Sequence, residues 1–450
     1  MIKPSIPKGT RDFGPVVVRK RNYIFQTIRD TFEVFGFQPL ETPSMENLST
    51  LTGKYGEEGD KLIFKILDNG EIYERAQQAK DSRELASLIS EKALRYDLTI
   101  PFARYVVMNQ HELALPFKRY QMQPVWRGDR PAKGRYREFY QCDADVVGSN
   151  SLLNETELLL IYDTVFTKLG MHGYELRINN RKILAALAEL VGKPEMMTDI
   201  TISIDKLDKI GMEGVKGELQ ERGLTDADIA IIENFLQISG DNASVLQQLR
   251  ELFANSATGQ KGIEELDFIL HAGYASYNTT PVLDLTLARG LNYYTGLIVE
   301  VKAPASVKMG SIGGGGRYDD LTGLFGLPGI SGVGISFGVD RIYDVMEELQ
   351  LFPDAAQQST RVLFLNLGEA CARKAFELMM QLRAKGIAAE LFHENAKMDK
   401  QMKYANKRGI PYVAIMGESE LQENVISVKN LVNGQQEKIS AAALIDVDFQ

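Results

Sequence analysis

Apolar residues recur at helical spacing near the start of the chain. Ile24, Ile28 and Phe32 lie four positions apart, and neither Gly nor Pro interrupts the segment between Pro15 and Gly36. This period predicts one amphipathic helix that begins near Pro15 and ends just before Gly36. The segment GFQPLETPSME follows directly and is expected to be extended, because its two prolines disfavour a helix.

The pattern changes beyond this helix. Residues 61–147 contain short runs rich in aromatic and β-branched residues, FKILD, FKRYQMQPVW and REFYQCDADVV, which predict antiparallel strands. A helical pattern returns over residues 154–170. Residues 181–272 are dominated by Leu, Ile, Ala, Glu and Gln and are predicted to be a mostly helical insertion. Residues 280–341 return to strands with many glycines.

The last part of the chain alternates strictly. After the polar segment 351–360, the strands RVLFLNLG, IAAELF and YVAIMG are separated by helices expected at Glu369–Lys385 and Met398–Arg408. This alternation predicts a small α/β domain with a largely parallel sheet. Its composition also differs, because residues 361–450 carry a net charge of +1 while the chain as a whole carries −9.

The composition is that of a folded globular protein. The chain has 450 residues, of which 44% are hydrophobic and 25% charged. The net negative charge argues against a general nucleic-acid coat protein. Two cysteines and four scattered histidines exclude a disulfide framework and disfavour a metal site. No signal peptide or membrane-spanning run is found, so a soluble cytoplasmic protein is expected.

One predicted strand has a polar face that needs an explanation. In REFYQCDADVV, side chains alternate, so Phe139, Gln141, Asp143 and Asp145 share one face, opposite Cys142 and its small apolar neighbours. The face is either solvated or part of a binding site. The preceding loop, RGDRPAKGRY, is rich in arginine and lysine, and arginines beside a polar sheet suit a polyphosphate. Spacing alone supports the two interpretations about equally.

Two further segments carry candidate polar residues. LRYDLTIPFARY places Asp97 and Thr99 on the same side of a segment expected to be extended, although a local turn or cap is the favoured explanation for this segment taken alone. LDLTLARGLNYYTG is predicted to be an alternating strand that contains Arg289. A buried arginine needs an anionic partner, which is either a structural carboxylate or a substrate. The adjacent Tyr293 and Tyr294 could be core aromatics.

Two glycine-rich segments match no nucleotide-binding fingerprint. SIGGGGRYDDL lacks the GK[ST] of a P-loop, so it indicates either close backbone approach or a flexible loop. In GVGISFGVDRI, the residues Gly334, Ser336 and Gly338 leave one strand face bare. A planar ring could lie on that face, with Arg341 beyond it; the alternative is tight packing of a helix.

Taken together and in this order, these motifs resemble the histidyl-tRNA synthetases, a family of class II aminoacyl-tRNA synthetases, along essentially the whole chain. The resemblance implies an α+β catalytic domain on a six-stranded antiparallel sheet, formed by residues 1–180 and 273–350. It also implies a helical insertion at 181–272 and a C-terminal α/β anticodon-binding domain at 361–450. A homodimer is implied as well, formed through the first helix and the segment around Pro43.

The resemblance further implies a reaction. Histidine and ATP would give histidyl-adenylate and pyrophosphate, and the histidyl group would pass to the 3′ end of histidine tRNA. Magnesium is expected with ATP, without a dedicated protein site. The implied catalytic residues are Arg289 and Arg127. The implied histidine-binding residues are Asp97, Thr99, Arg127, Gln141, Asp145, Arg289, Tyr293, Tyr294 and Tyr318, and the implied ATP-binding residues are Arg127, Arg135, Phe139 and Arg341.

Two positions depart from the family's usual pattern. Asn292 stands where members more often have Asp, and Ala132 stands where common bacterial members have Gln. Two alternatives from other functional classes are a regulatory paralogue and a tRNA-sensing module. The regulatory paralogue normally lacks the C-terminal domain, whereas this chain has residues 361–450, and no kinase signature accompanies the motifs. The sequence therefore favours the enzyme.

Overall fold

A computed structural model of the protein describes residues 3–53, 56–272, 276–288, 293–356 and 360–449. The chain forms two compact units. The first comprises Met1–Gly14 and Arg21–Leu351, and the second comprises Pro15–Lys20 and Phe352–Gln450. The helical residues 181–272 lie within the first unit. Among the described residues, no helix is both long and apolar enough to cross a membrane.

The strands are numbered in chain order. They are β1 (Gln38–Pro39), β2 (Met45–Asn47), β3 (Lys65–Ile66), β4 (Lys92–Leu94), β5 (Phe117–Trp126), β6 (Glu138–Val147), β7 (Glu175–Asn180), β8 (Val282–Leu283), β9 (Leu297–Lys302), β10 (Ser311–Tyr318), β11 (Gly332–Gly338), β12 (Val362–Phe364), β13 (Ala389–Leu391), β14 (Tyr412–Ile415), β15 (Val425–Asn430) and β16 (Gln436–Ser440).

The helices are numbered in the same way. They are α1 (Pro15–Val34), α2 (Leu48–Leu51), α3 (Gly56–Lys61), α4 (Tyr73–Ala76), α5 (Ser82–Ile89), α6 (Thr99–Met108), α7 (Leu153–Lys168), α8 (Arg181–Leu190), α9 (Met197–Ile204), α10 (Leu207–Glu221), α11 (Asp226–Leu236), α12 (Asn242–Leu252), α13 (Ala257–Ala272), α14 (Val339–Glu348), α15 (Glu369–Ala384), α16 (Met398–Arg408) and α17 (Glu418–Glu423). The predicted helix after Pro15 is α1, and the helix predicted at 398–408 is α16.

A large mixed sheet organises the first unit. Within the described residues its strand order is β1-β5-β6-β11-β10-β9-β7-β8. Within this order, the six strands β5-β6-β11-β10-β9-β7 pair antiparallel, as predicted. The expected count of six is nevertheless too low. Two-residue strands β1 and β8 add to the edges in parallel, and segments this short carry no period that a sequence pattern can reveal. A separate small sheet has the order β2-β4-β3.

Aromatic packing covers one face of the large sheet. Phe337 of β11 lies 4.7 Å from the ring of Tyr162 on α7 and 5.9 Å from Phe32 on α1. The Tyr162 hydroxyl lies 2.9 Å from the carbonyl oxygen of Gly314 and 2.8 Å from that of Ser336, and its single proton is shared between these two acceptors, which fixes α7 across β10 and β11. The apolar side chains of β11 are therefore used on this face, and its small residues are left for the other.

Residues 181–272 form helices α8 to α13, as the composition predicts. Local side-chain signals set several of the helix starts. Asn180 accepts a hydrogen bond from the Lys182 amide before α8, and Thr225 and Asp228 form a reciprocal capping box at α11. The boundaries of an insertion domain stay a prediction, because these helices belong to the first compact unit.

The expected strand through LDLTLAR is wrong beyond Leu283. Asp284 Oδ1 accepts hydrogen bonds from the Thr286 amide at 3.0 Å and from its hydroxyl at 2.6 Å. This local turn replaces the ladder hydrogen bonds that a strand would need. An aspartate side chain thereby overrides an alternating hydrophobic pattern.

The second unit has its own five-stranded sheet among the described residues, in the order β13-β12-β14-β15-β16. The strand and helix alternation predicted as far as β14 is confirmed. The expectation of a largely parallel sheet is wrong, because β15 pairs antiparallel with both β14 and β16. The segment from 425 to 440 is a hairpin that the alternation pattern does not reveal. The core of this unit includes Phe364, Leu378, Leu382, Ile426 and Leu444.

Candidate active site

The end of the polar β6 face that carries Asp143 and Asp145 is buried, whereas Phe139 and Gln141 are half-buried. Asp143 and Asp145 are each only 2% exposed, so the solvated-face interpretation is wrong. Strand register places this face opposite polar or small residues on both neighbours. The rows are Arg119–Asp145–Gly334, Gln121–Asp143–Ser336 and Gln123–Gln141–Gly338. These three rows form one polar surface across β5, β6 and β11, on the side of the sheet away from α7. It is called the acidic surface because Asp143 and Asp145 lie at its centre.

Asp145 is held from two directions. Its Oδ2 lies 2.9 Å from Nη2 of Arg119, and its Oδ1 accepts a 2.5 Å hydrogen bond from the Tyr318 hydroxyl. Burial raises the pKa of Asp145, and the positive charge of Arg119 opposes that rise. Burial and the neighbouring Asp145 also raise the pKa of Tyr318 well above its usual range, so this phenol stays a neutral donor.

Asp143 adds a second carboxylate to the same buried surface. Burial raises the pKa of Asp143 to about 7, against the opposing charge of Arg119, and Asp145 raises it further. The hydroxyl of Ser336 is a hydrogen-bond partner of Asp143. With two carboxylates and one fully buried guanidinium, this surface is suited to a substrate group that is cationic or donates hydrogen bonds.

Arg127 and Gln141 meet next to the carboxylates. Arg127 Nε donates to the Tyr96 carbonyl at 3.0 Å, and Nη2 lies 3.4 Å from Gln141 Oε1. The guanidinium carbon lies 4.4 Å from the Tyr96 ring centre and 5.1 Å from that of Phe139. Gln141 Nε2 in turn donates to Ser336 Oγ at 2.9 Å. Three residues predicted separately, Arg127, Phe139 and Gln141, are thus brought together.

The segment with Asp97 and Thr99 is not extended, which corrects the prediction. Thr99 is the first residue of α6, and Asp97 Oδ1 accepts from the Ile100 amide at 3.1 Å. The local capping interpretation therefore describes the backbone correctly. It does not exclude a site, because Asp97 is 2% exposed and its charge raises the pKa of Asp143 on β6. Thr99 is half-buried.

Three tyrosines pack as a cluster at the carboxylate end. The ring of Tyr293 lies 5.2 Å from that of Tyr294 and 6.0 Å from that of Tyr318, in edge-to-face geometry. Burial raises the pKa of Tyr294, and the next contributions come from Asp145 and Asp143. The sequence left open whether these residues were core or site. In the structure Tyr293 and Tyr294 are half-buried and pack against a buried cluster that includes Tyr318.

The four-glycine run is strand β10 and not a flexible loop. A Cβ on Gly315 would collide with the carbonyl oxygen of Gly334 on β11, so close backbone approach explains this residue. A Cβ on Gly334 would collide with the Asp145 carboxylate. At Gly334 the bare face of β11 therefore borders the Asp145 carboxylate and not a helix.

The remaining predicted ATP residues lie at the loop between β5 and β6. Arg341 Nε donates to the Gly134 carbonyl at 2.7 Å, and Nη1 donates to the Ser311 carbonyl at 2.6 Å. Arg341 thus contacts the arginine-rich loop directly. Arg135 is not gathered into the buried group, because its side chain is 58% exposed and lies 3.9 Å from Asp129. Its turn is closed by reciprocal hydrogen bonds with Ala132.

Arg289 and Asn292 lie outside the described residues. Arg119, Asp143 and Ser336 also lie at this surface but are absent from the binding residues that the resemblance implies, although Asp143 and Ser336 were noted on the candidate strand faces. The signal for Arg119 was present in FKRYQMQPVW, where Arg119, Gln121 and Gln123 alternate with apolar residues on β5.

The antiparallel sheet, its arginine and carboxylate surface and the separate mixed-sheet unit define the architecture of a class II aminoacyl-tRNA synthetase. The family model for histidyl-tRNA synthetase matches residues 9–342, and an anticodon binding domain matches residues 361–447. The histidine--tRNA ligase of Christiangramia forsetii is 57% identical over 443 residues, covering 97% of each chain. That of Bacteroides fragilis is 56% identical and covers 98% of each.

A solved structure agrees with this assignment. Histidyl-tRNA synthetase from Nostoc sp. PCC 7120 superposes with a TM-score of 0.84 at 30% identity, covering 99% of each chain. The chain belongs to the histidyl-tRNA synthetase family. Its activity is the ATP-dependent joining of histidine to tRNA.

Proposed function

We propose that the surface formed by β5, β6 and β11 is where the chain makes histidyl-adenylate from L-histidine and ATP, before the histidyl group passes to histidine tRNA. One observation carries the proposal. The buried Asp145 carboxylate is held by Arg119 and Tyr318 at a place where Gly334 leaves no opposing side chain. Such a carboxylate can accept a hydrogen bond from an imidazole N–H, as histidine selection requires.

The other residues of the histidine set take roles around this point. Tyr294 pairs with Asp145 in contacting the imidazole, and Tyr293 and Tyr318 line the pocket. Asp97, Thr99 and Gln141 hold the amino group. The buried carboxylate oxygens of Asp97, Asp143 and Asp145 support this assignment, because they can accept hydrogen bonds from the ammonium group of histidine.

The ATP set occupies the loop side of the same surface. Arg127 contacts the α-phosphate, and Phe139 and Arg341 hold the adenine on the bare face of β11. Adenylate formation adds negative charge at the α-phosphorus, and arginines that are already oriented stabilise it electrostatically. The hydrogen bonds of Arg127 to the Tyr96 carbonyl and to Gln141 Oε1 hold its guanidinium in a fixed orientation. Arg289 supplies the second arginine, and Arg135 reaches the phosphates from its exposed position.

Magnesium accompanies ATP in this proposal and neutralises the β- and γ-phosphates. Among the described residues, no group of three or more His, Cys, Asp or Glu side chains could hold a metal ion. The ion would be held by the phosphates, and no step assigned to the side chains depends on it.

Assembly, location and domain roles complete the proposal. Residues 1–180 and 273–350 form the catalytic domain, residues 181–272 form the insertion, and residues 361–450 form the anticodon-binding domain. The enzyme acts in the cytoplasm as a homodimer formed through α1 and the segment around Pro43. The anticodon-domain match argues against a regulatory paralogue, which normally lacks that domain. Sedimentation equilibrium of the full chain tests the dimer directly.

Histidine-dependent pyrophosphate exchange tests the site. Asp145→Ala should raise the KM for histidine far more than the KM for ATP, and discrimination against analogues without the N–H should fall by up to about 10⁴-fold. Glu155→Ala is the matched control, because Glu155 is an equally buried carboxylate paired with Arg317. The control should lower the melting temperature without changing the ratio of the two KM values. Equal changes in both KM values for Asp145→Ala would contradict the proposal.

A further inference from the structure

We infer that Arg119 is a positioning residue for histidine recognition, which acts through Asp145 by holding that carboxylate ionised and oriented to accept from a neutral imidazole. This inference rests on the proposed histidine site. Arg119 belongs to none of the motifs that indicated the function, and it contacts the proposed site through the Asp145 carboxylate.

The geometry points to a role for Arg119 through Asp145. Its side chain is completely buried, and its Nη2 lies 2.9 Å from Asp145 Oδ2. The two residues face each other across β5 and β6. Nη2 also approaches the Leu98 carbonyl at 3.4 Å, and the guanidinium carbon lies 4.3 Å from the centre of the Phe102 ring. A side chain enclosed in this way influences a substrate through the carboxylate that it holds.

The hydrogen bonds of this cluster are incomplete among the described residues. Nε and Nη1 of Arg119 have no hydrogen-bond acceptor there, and Oδ1 of Asp143 and Oδ2 of Asp145 have no hydrogen-bond donor, so Arg119 and Asp145 meet as an ion pair and not as an aligned hydrogen bond. A buried guanidinium without its full set of acceptors is costly, so it is retained where its charge is needed. Here one arginine serves two carboxylates, because its charge opposes the protonation of both Asp143 and Asp145.

The sign of the effect follows from the charges around Asp145. The groups that face it are Arg119, Tyr318, Asp143 and Tyr294. Arg119 is the cation in that set. Without it, two buried carboxylates would remain next to two neutral phenols, and protonation would be favoured. A protonated Asp145 offers a donor to the imidazole N–H, where an acceptor is needed. With Arg119 present the Asp145 carboxylate stays ionised and its negative charge is balanced by the guanidinium, which suits an uncharged imidazole.

A double-mutant cycle on the full-length enzyme tests this inference. The variants are Arg119→Met, Asp145→Asn and the combination, with Arg119→Lys as the conservative replacement. Arg119→Met should raise the KM for histidine by about 10- to 100-fold and leave the KM for ATP within about twofold. The increase in the histidine KM of Arg119→Met should become smaller as the pH rises, because Asp145 then ionises again. Arg119→Lys should recover part of the affinity.

The combination distinguishes the possible outcomes. If Arg119 acts through Asp145, the double variant should bind histidine no more weakly than Asp145→Asn alone. It also leaves one buried carboxylate, Asp143, without the guanidinium instead of two, so it is the variant to measure if Arg119→Met folds poorly. Strictly additive effects in the cycle, or a histidine KM for Arg119→Met that matches wild type, would overturn the inference while leaving the site intact.

Two controls distinguish a positioning role for Arg119 from a purely structural one. Arg317→Met removes an arginine of similar burial that pairs with Glu155, and it should lower the melting temperature without a selective change in the histidine KM. The site assignment itself is tested by Asp145→Asn. If that variant alone binds histidine normally, the proposed histidine site fails, and the role of Arg119 fails with it.

Discussion

Gly334 lies directly across from Asp145 in the β11–β6 pair, and any side chain at position 334 would collide with the Asp145 carboxylate. The glycine is therefore part of the geometry of the acidic surface and not a spacer. Because Asp145 is also held by Arg119 and Tyr318, it has little freedom to move aside. Replacing Gly334 by alanine adds one methyl group and therefore tests whether the position of the Asp145 carboxylate affects histidine binding.

Gly334→Ala should raise the KM for histidine by about 10- to 100-fold, since a displacement of about 1 Å in a positioned group costs activity on that scale. The KM for ATP should change little. Pyrophosphate exchange at varied histidine and then at varied ATP measures both quantities. A variant that binds histidine normally while its melting temperature falls would indicate that Asp145 serves only packing.

Gly338→Ala offers the matched test for ATP. Gly338 lies on the same bare face of β11, four residues further along, but a Cβ there meets only ordinary contacts, the nearest being the Ile312 carbonyl at 3.4 Å. The fold should therefore tolerate the change. If adenine lies on this face beside Arg341, the KM for ATP should rise by about 10-fold or more, while the KM for histidine stays near wild type. An unchanged KM for ATP would place the adenine elsewhere.

Sequence periodicity predicted what depends on local rules. The alternation of side chains along residues 138–147 places Gln141, Asp143 and Asp145 on one face whatever the strand pairs with. The helices at 15–34 and 398–408 follow from their apolar period and their flanking residues in the same way. These elements needed no knowledge of the rest of the chain.

What the sequence could not supply depends on register between distant strands. Arg119 meets Asp145 only because the loop between β5 and β6 sets that pairing. Whether the β6 face is wet or buried also depends on β11, nearly 200 residues later. The hydrophobic pattern gave wrong predictions at Asp284, whose side chain ends strand β8, and at Thr99, which begins a helix. In both cases a side-chain hydrogen bond to the backbone outweighs that pattern.

The pH dependence of stability should carry the signature of Asp143. Burial raises the pKa of Asp143 to about 7, whereas an unfolded aspartate has a pKa of about 3.9. Between these values the folded chain holds a proton that the unfolded chain releases. The free energy of unfolding contributed by this group therefore falls as the pH rises from about 4 to about 7, and then levels off.

Asp143→Asn should remove this loss. Between pH 5 and pH 8, the free energy of unfolding of the variant relative to wild type should increase by about 2–3 kcal/mol. Urea denaturation at the two pH values measures the difference. Parallel pH profiles for the two proteins would contradict the assignment, whatever their absolute stabilities.

The C-terminal residues should be required for tRNA and not for adenylate formation. Removing residues 361–450 should leave histidine-dependent pyrophosphate exchange measurable, while aminoacylation of tRNA falls strongly. Because Pro15–Lys20 groups with this unit, the truncated protein needs a thermal melt to establish that its remaining unit is folded. Aminoacylation by the full chain should also weaken with rising salt, since phosphate contacts release counterions. Unchanged aminoacylation after truncation would remove the anticodon-binding role.

Arg289 carries the most specific prediction about the chemistry, although it lies outside the described residues. The segment ARGLNYYTG matches the family's pattern around a catalytic arginine, and its described neighbours Tyr293 and Tyr294 pack against the acidic surface. If the partner of Arg289 is the reacting α-phosphate, Arg289→His should fold normally and bind histidine nearly as well as wild type. Adenylate formation should slow by about 10²- to 10³-fold, the scale of removing one oriented donor to a transition state. Transfer from preformed histidyl-adenylate to tRNA should suffer less, because pyrophosphate has already left.

Single-turnover adenylate formation and a thermal melt on the same preparation distinguish a catalytic Arg289 from a structural one. A large fall in melting temperature with near-normal chemistry per folded molecule would show that the partner of Arg289 is a structural carboxylate instead.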